Sequence, residues 1–167
     1  MLHPDEKPGP AQAIAVYALT APGARLGRAL AGRLGADLYL PDRLAGEFGG
    51  RGFASLPPLV GSTWAQYGRH VFVAAAGIAV RAVAPHLRAK DRDPAVVVVD
   101  QRGRFAVSLV SGHLGGANAL AREVAAITSG QAVVTTATDV EGVPAMDDLA
   151  RERGLAVADT AAIKPVN

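Results

Sequence analysis

Three short runs in this chain contain no Asp, Glu, Lys or Arg: Ala13–Leu19, His70–Ala76 and Ala95–Val99. Between and after them lie segments whose apolar residues recur at helical spacing. Leu26, Ala29, Leu30 and Leu34 form one such series, and Leu120, Val124 and Ile127 another. An uncharged run rich in β-branched residues is a strand that needs cover on both faces, and intervening helices provide that cover. The alternation therefore predicts an α/β fold. The expected form is a three-layer αβα arrangement around a mixed, mostly parallel sheet.

Along the chain, strands are expected at Ala13–Leu19, Asp37–Leu40, His70–Ala76 and Ala132–Ala137. Ala95–Val99 and Phe105–Val110 flank Asp100-Gln-Arg-Gly-Arg104 and read as the one hairpin. Helices are expected from Pro22 to Gly35, from Gly77 to Ala84, and after Asn118. Residues 41–62 hold Gly46, Gly49, Gly50, Gly52, Pro57 and Pro58, and read as a surface loop, with Thr63–Gly68 forming helical turns. A short helix near Met146–Arg153 and a strand at Leu155–Val157 complete the reading. Residues 1–12 read as a disordered tail, 13–160 as a single domain and 161–167 as the start of a linker.

Composition removes several function classes. There is no cysteine, so disulfides, thiolate metal sites and a Cys nucleophile are excluded. No apolar stretch approaches the ~18 residues of a membrane span. Ala13–Ala21 follows acidic Asp5 and Glu6 rather than a basic segment, which disfavours a secretory signal. Net charge is only +2, and Asp91, Asp93 and Asp100 interrupt the basic residues of the central region. With 5% aromatic residues for stacking, nucleic acid is not the expected partner. No HxH or HxxxH spacing occurs, so no metal site is expected.

Ser111-Gly-His-Leu-Gly-Gly-Ala-Asn118 is the most informative local feature. Its glycines let backbone amides approach a ligand at the start of a helix. The spacing fits neither a dinucleotide fingerprint nor a Walker loop, and a tight turn capped by Ser111 explains the residue types equally well. His113 within it suits acid–base chemistry near neutral pH. Lys90-Asp-Arg-Asp-Pro94 mixes charges before a strand, Gly77 and Arg81 open another helix, and Thr135-Thr-Ala-Thr-Asp139 ends a strand with three hydroxyls and a carboxylate. If Phe105–Val110 runs parallel to His70–Ala76, its end at Ser111 lies beside Gly77. Arg81, Lys90–Asp93, Ser111–Asn118 and Thr135–Asp139 then share one rim, and Asp100 and Arg102 occupy the other.

These residues also carry a resemblance. Gly77-Ile-Ala-Val-Arg81, Ala84-Pro85, Lys90 with Asp93–Asp100, Ser108-Leu with Ser111–Asn118, and Thr135–Asp139 resemble, in order and spacing, the N-terminal region of the CbiG family. That is the cobalt-precorrin-5A hydrolase family of anaerobic cobalamin synthesis. The resemblance implies opening of the ring A δ-lactone and loss of a two-carbon fragment as acetaldehyde, giving cobalt-precorrin-5B. It also implies a cytoplasmic enzyme with no cofactor of its own, since cobalt arrives in the substrate.

On this reading His113 assists the attacking water, while Lys90 or the amides near Gly115 and Gly116 stabilise the oxyanion. Asp93 orients His113 or takes the hydroxyl proton. Ser111 as a nucleophile is the weaker choice, for want of a GxSxG elbow. Arg81 and Asn118 hold substrate side chains, with Gly77, Gly112, Thr135, Thr136, Thr138 and Asp139 as further contacts. Family members continue beyond the region resembling Ile163–Asn167 into a C-terminal domain. A C-terminal partner or a second copy is therefore expected to complete the cleft. The competing reading is a non-catalytic corrinoid-binding or partner-docking half of a split enzyme.

Overall fold

The computed structural model describes residues 12–89, 92–113 and 115–141. Seven strands form one sheet in the order β3-β2-β1-β4-β5-β6-β7. They are β1 (Ile14–Ala18), β2 (Asp37–Pro41), β3 (Arg51–Phe53), β4 (Arg69–Val73), β5 (Ala95–Val99), β6 (Phe105–Val110) and β7 (Gln131–Val133). The helices are α1 (Ala21–Leu34), α2 (Asp42–Phe48), α3 (Leu56–Thr63), α4 (Ala76–Val83), α5 (Ala117–Thr128) and α6 (Ala137–Val140). The expected α/β architecture is present, with a mixed, mostly parallel sheet and β5–β6 as its antiparallel hairpin.

Side chains alternate along each strand and divide the core into two layers. Val16, Val71 and Val97 face Leu30, Phe48, Leu120 and Val124 on the side of α1, α2 and α5. Tyr17, Phe72, Val96 and Val98 face Val60, Ala79 and Val83 on the side of α3 and α4. The valine run of β5 is buried throughout because both of its faces are covered. His70 belongs to the second layer. It is fully buried, with Nδ1 3.0 Å from the Tyr17 hydroxyl and its ring stacked on Trp64. Burial pushes its pKa down to about 4.

Three expectations are corrected. The segment 41–62 is not a loop, since α2, β3 and most of α3 occupy it. Leu44 and Phe48 are buried four residues apart, as are Leu56 and Val60. Pro57 and Pro58 sit in the first turn of α3, where proline is tolerated because those amides lack intrahelical partners. The predicted strand 132–137 shortens to β7, with α6 already begun at Ala137.

The third correction concerns direction. β4 is parallel to β5, from Arg69↔Ala95 to Val73↔Val99. β6 is antiparallel to β5, with Val110 beside Val96. Ser111 therefore emerges at the end of the sheet where β4 and β5 begin. Gly77 follows the opposite end of β4, near the Asp100–Gly103 turn, with Ala74 N–H donating to Val99 O. The proposed helix near Met146–Arg153, the strand at Leu155–Val157, and the boundaries at 1–12 and 160–167 lie outside the described residues.

Candidate active site at the end of β6 and β7

β6, α5 and β7 form a unit running against the rest of the sheet, with β6 parallel to β7. The carboxyl ends of parallel strands are where α/β folds bind ligands, and here that end carries Ser111–Asn118 and Thr135–Asp139. The turn is built from its own backbone. Gly116 N–H donates to His113 O at 2.9 Å, Ala117 N–H to Ser111 O at 3.0 Å, and Asn118 N–H to Gly112 O at 2.9 Å. Gly116, at φ 84°, is the N-cap of α5, so Ser111 does not cap it. Ser111 itself holds φ 59°, an uncommon conformation for a residue with a Cβ. Its hydroxyl is buried and has no hydrogen-bond partner among the described residues.

A polar network joins the two loops. Asn118, only 3% exposed, receives the Ser108 hydroxyl on Oδ1 at 2.7 Å. That fixes its amide orientation. Its Nδ2 then donates to Thr136 Oγ1 at 3.0 Å and to Asp139 Oδ2 at 2.9 Å. The same carboxylate oxygen accepts His113 Nε2 at 2.8 Å and the Thr136 hydroxyl at 2.5 Å, while Arg122 pairs with Oδ1. Burial opposes the charge on Asp139, but the bonds from Thr136, Arg122 and His113 outweigh it and hold its pKa at about 2.

The sequence-predicted residues divide accordingly. Gly112, Ser111, His113, Asn118, Thr136 and Asp139 are brought together. An added Cβ on Gly112 would lie 2.9 Å from Asn118 Oδ1. Gly115 packs on Ser111 and on the carbonyl of Asp93, which confirms that the 93–94 and 111–118 segments meet. Thr135 is exposed beside them. Lys90 lies outside the described residues, as does the side chain of Thr138.

Three expectations change. Gly77 and Arg81 are at the far end of the sheet, and Arg81 turns back to donate to Gly77 O at 3.1 Å. The carboxylate of Asp93 accepts the Arg88 N–H at 2.9 and 3.0 Å, so it closes the loop before β5, and Asp139 makes the carboxylate contact to His113. The Gly116 amide is occupied by His113 O. Sequence reasoning missed Arg122, whose signal was its place one turn after Asn118 on α5. It also gave no part to Arg88, and placed Arg92 on the rim only as a member of Lys90–Asp93; both are exposed in the loop that Asp93 closes.

The chain was also compared with known proteins. The pattern of the cobalamin synthesis G N-terminal family matches residues 58–139. Over that segment the chain is similar to the family. The residues of the network around Asn118 and Asp139 lie inside it. The chain is 41% identical over 161 residues to the cobalt-precorrin-5A hydrolase of Salmonella typhimurium, covering 93% of this chain and 45% of that protein. It is 38% identical over 113 residues to the cobalt-precorrin-5A hydrolase of Priestia megaterium, covering 68% of this chain and 30% of the other. The chain thus spans less than half the length of these relatives. A crystal structure described as a cobalamin biosynthesis protein G homolog from Sulfolobus solfataricus superposes with a TM-score of 0.62 at 20% identity, over 93% of this chain and 45% of that one. At that identity the likeness is one of fold.

Among the described residues no group of three His, Asp or Glu side chains could hold a metal ion. No described helix is long and apolar enough to cross a membrane.

Proposed function

We propose that the chain acts in cobalamin biosynthesis, in the cytoplasm, as the N-terminal part of a cobalt-precorrin-5A hydrolase. The 41% identity to the Salmonella enzyme across 161 residues carries the reading, and the His113–Asp139 contact supplies chemistry suited to it. The substrate is a flat cobalt macrocycle fringed with carboxylates. Arg88 and Arg92, exposed beside the loop that Asp93 closes, suit those carboxylates as charge-assisted hydrogen-bond donors.

In the first step water adds to the lactone carbonyl as His113 takes its proton. The tetrahedral oxyanion collapses with cleavage of the ring C–O bond, and the proton passes to the departing oxygen. A carboxylate and a free hydroxyl result. Loss of the hydroxyl proton then drives cleavage of the adjacent carbon–carbon bond. The electron pair passes to the conjugated macrocycle and the two-carbon fragment leaves as acetaldehyde. With Gly116 N–H already bonded, Lys90 and the Gly115 amide are the candidates for the oxyanion.

The test is anaerobic incubation with cobalt-precorrin-5A, following acetaldehyde and the mass of the corrinoid product, with and without the C-terminal half of a full-length relative. Both products are expected, at the latest when that half is added. Corrinoid binding without turnover under either condition would favour the non-catalytic, partner-docking reading.

A further inference from the structure

We propose that the groove between α1 and the starts of β2 and β3 binds a small oxyanion, a ligand carrying carboxylate or phosphate groups. The groove lies at the opposite edge of the sheet from β6 and β7. It shares no residue with the lactone site, so the proposal stands apart from that reading.

The groove has a volume of about 420 Å³, within the roughly 300–1,000 Å³ of small-molecule sites. Glycines keep it open. Gly32 lies in the last turn of α1, and a Cβ added there would meet no protein atom within 4 Å. Gly49 turns the chain from α2 into β3 at φ 69°. Gly50 runs so close to β2 that a Cβ would come within 3.0 Å of Leu38 O. Both therefore present bare backbone to the groove.

Charge decides what the groove suits. Its ionisable residues are Arg28, Asp37 and Arg51. Both oxygens of Asp37 are engaged: Oδ1 accepts Arg51 Nη2 at 3.0 Å and Oδ2 accepts the Tyr67 hydroxyl at 2.6 Å. With its proton given to Asp37, the Tyr67 oxygen accepts the Tyr39 hydroxyl at 2.8 Å. Arg51 Nη1 then donates to both tyrosine oxygens, at 3.1 Å and 3.3 Å. The guanidinium also lies over the Tyr39 ring, 5.6 Å from its centroid.

These contacts hold Arg51 in one orientation without using all five of its N–H groups. Nε–H and the second hydrogen of Nη2 have no acceptor among the described residues. Arg28, exposed on α1, makes no hydrogen bond or ion pair among the described residues. Asp37 offsets Arg51, so Arg28 leaves the groove net positive. A guanidinium fixed before binding loses little freedom when a ligand arrives, and its fork matches carboxylate and phosphate oxygens. A second cation on the facing element strengthens the attraction.

The experiment is NMR titration of the ¹⁵N-labelled full chain with citrate and, separately, with inorganic phosphate at low ionic strength. Sodium chloride of matched ionic strength controls for screening. Saturable shifts are expected at Gly32, Gly49, Gly50 and Arg51 Nε–H with at least one probe, and none with chloride. A response to citrate alone identifies a carboxylate ligand, and a response to phosphate alone a phosphate ligand. Arg28→Ala is expected to weaken binding roughly tenfold. Gly32→Leu removes no contact and fills the groove, so it should abolish binding while the fold is kept. Neither probe moving these resonances beyond the chloride control would overturn the proposal without any variant. Undiminished binding in both folded variants would overturn it as well.

Discussion

The side-chain amide of Asn118 and the carboxylate of Asp139 meet at 2.9 Å, tying the first turn of α5 to α6 across the end of the sheet. Asn118 is the best buried member of the network and satisfies Ser108, Thr136 and Asp139 at once. Replacing it with Leu leaves those three groups short of a partner. The expected loss is about 1–3 kcal/mol of stability, read as a lower urea midpoint with an unchanged slope.

His70 makes stability depend on pH in a defined window. The unfolded chain takes up its proton near the ordinary histidine value of 6.5, whereas burial holds the folded-state pKa at about 4. Between those values the unfolded state binds more protons. The contribution is fully present above pH 6.5, declines as pH falls toward 4, and declines no further below that. The expected loss is roughly 3 kcal/mol. His70→Phe flattens this part of the curve, as urea titrations across the window would reveal.

Ser111 at φ 59° tests strain and chemistry together. Ser111→Gly relieves a left-handed backbone costing roughly 1–2 kcal/mol, against about 0.5–1 kcal/mol of added chain entropy. Its stability should match or slightly exceed that of the wild type, with turnover retained. Turnover lost in a folded Ser111→Gly variant would revive the hydroxyl as nucleophile.

Arg81 and the pair Arg88 and Arg92 separate the two ends of the sheet. Arg81→Ala removes only a bond to Gly77 O, so kcat and KM should stay within about twofold, a change under 0.5 kcal/mol. Arg88→Ala and Arg92→Ala should raise KM for the carboxylate-bearing substrate, each by roughly tenfold. The opposite pattern would mean that substrate binds at the α4 end.

The sequence made the apolar strands legible because β1, β4 and β5 are buried on both faces and read as uncharged runs. It made the Ser111–Asn118 and Thr135–Asp139 loops legible through glycine and hydroxyl clustering. The direction of β6 was not legible from the hairpin alone, since a hairpin fixes two strands against each other and not against the sheet. The helix α4 between β4 and β5 held that answer, because a helical crossover joins parallel strands. The choice of Asp139 over Asp93 at His113 depends on where β7 delivers its loop. No spacing within either motif records that. The segment 41–62 was hidden by glycine and proline density, although Leu44/Phe48 and Leu56/Val60 carried helical spacing.

The central claim is that His113 is the base of a lactone-opening site. The measurement is acetaldehyde release from cobalt-precorrin-5A under anaerobic conditions, comparing wild type with His113→Ala, each supplied with the C-terminal half of a full-length relative. The account predicts a rate lower by about 10²–10⁴-fold, with corrinoid binding preserved and the fold intact. An equal rate from the two proteins would contradict it.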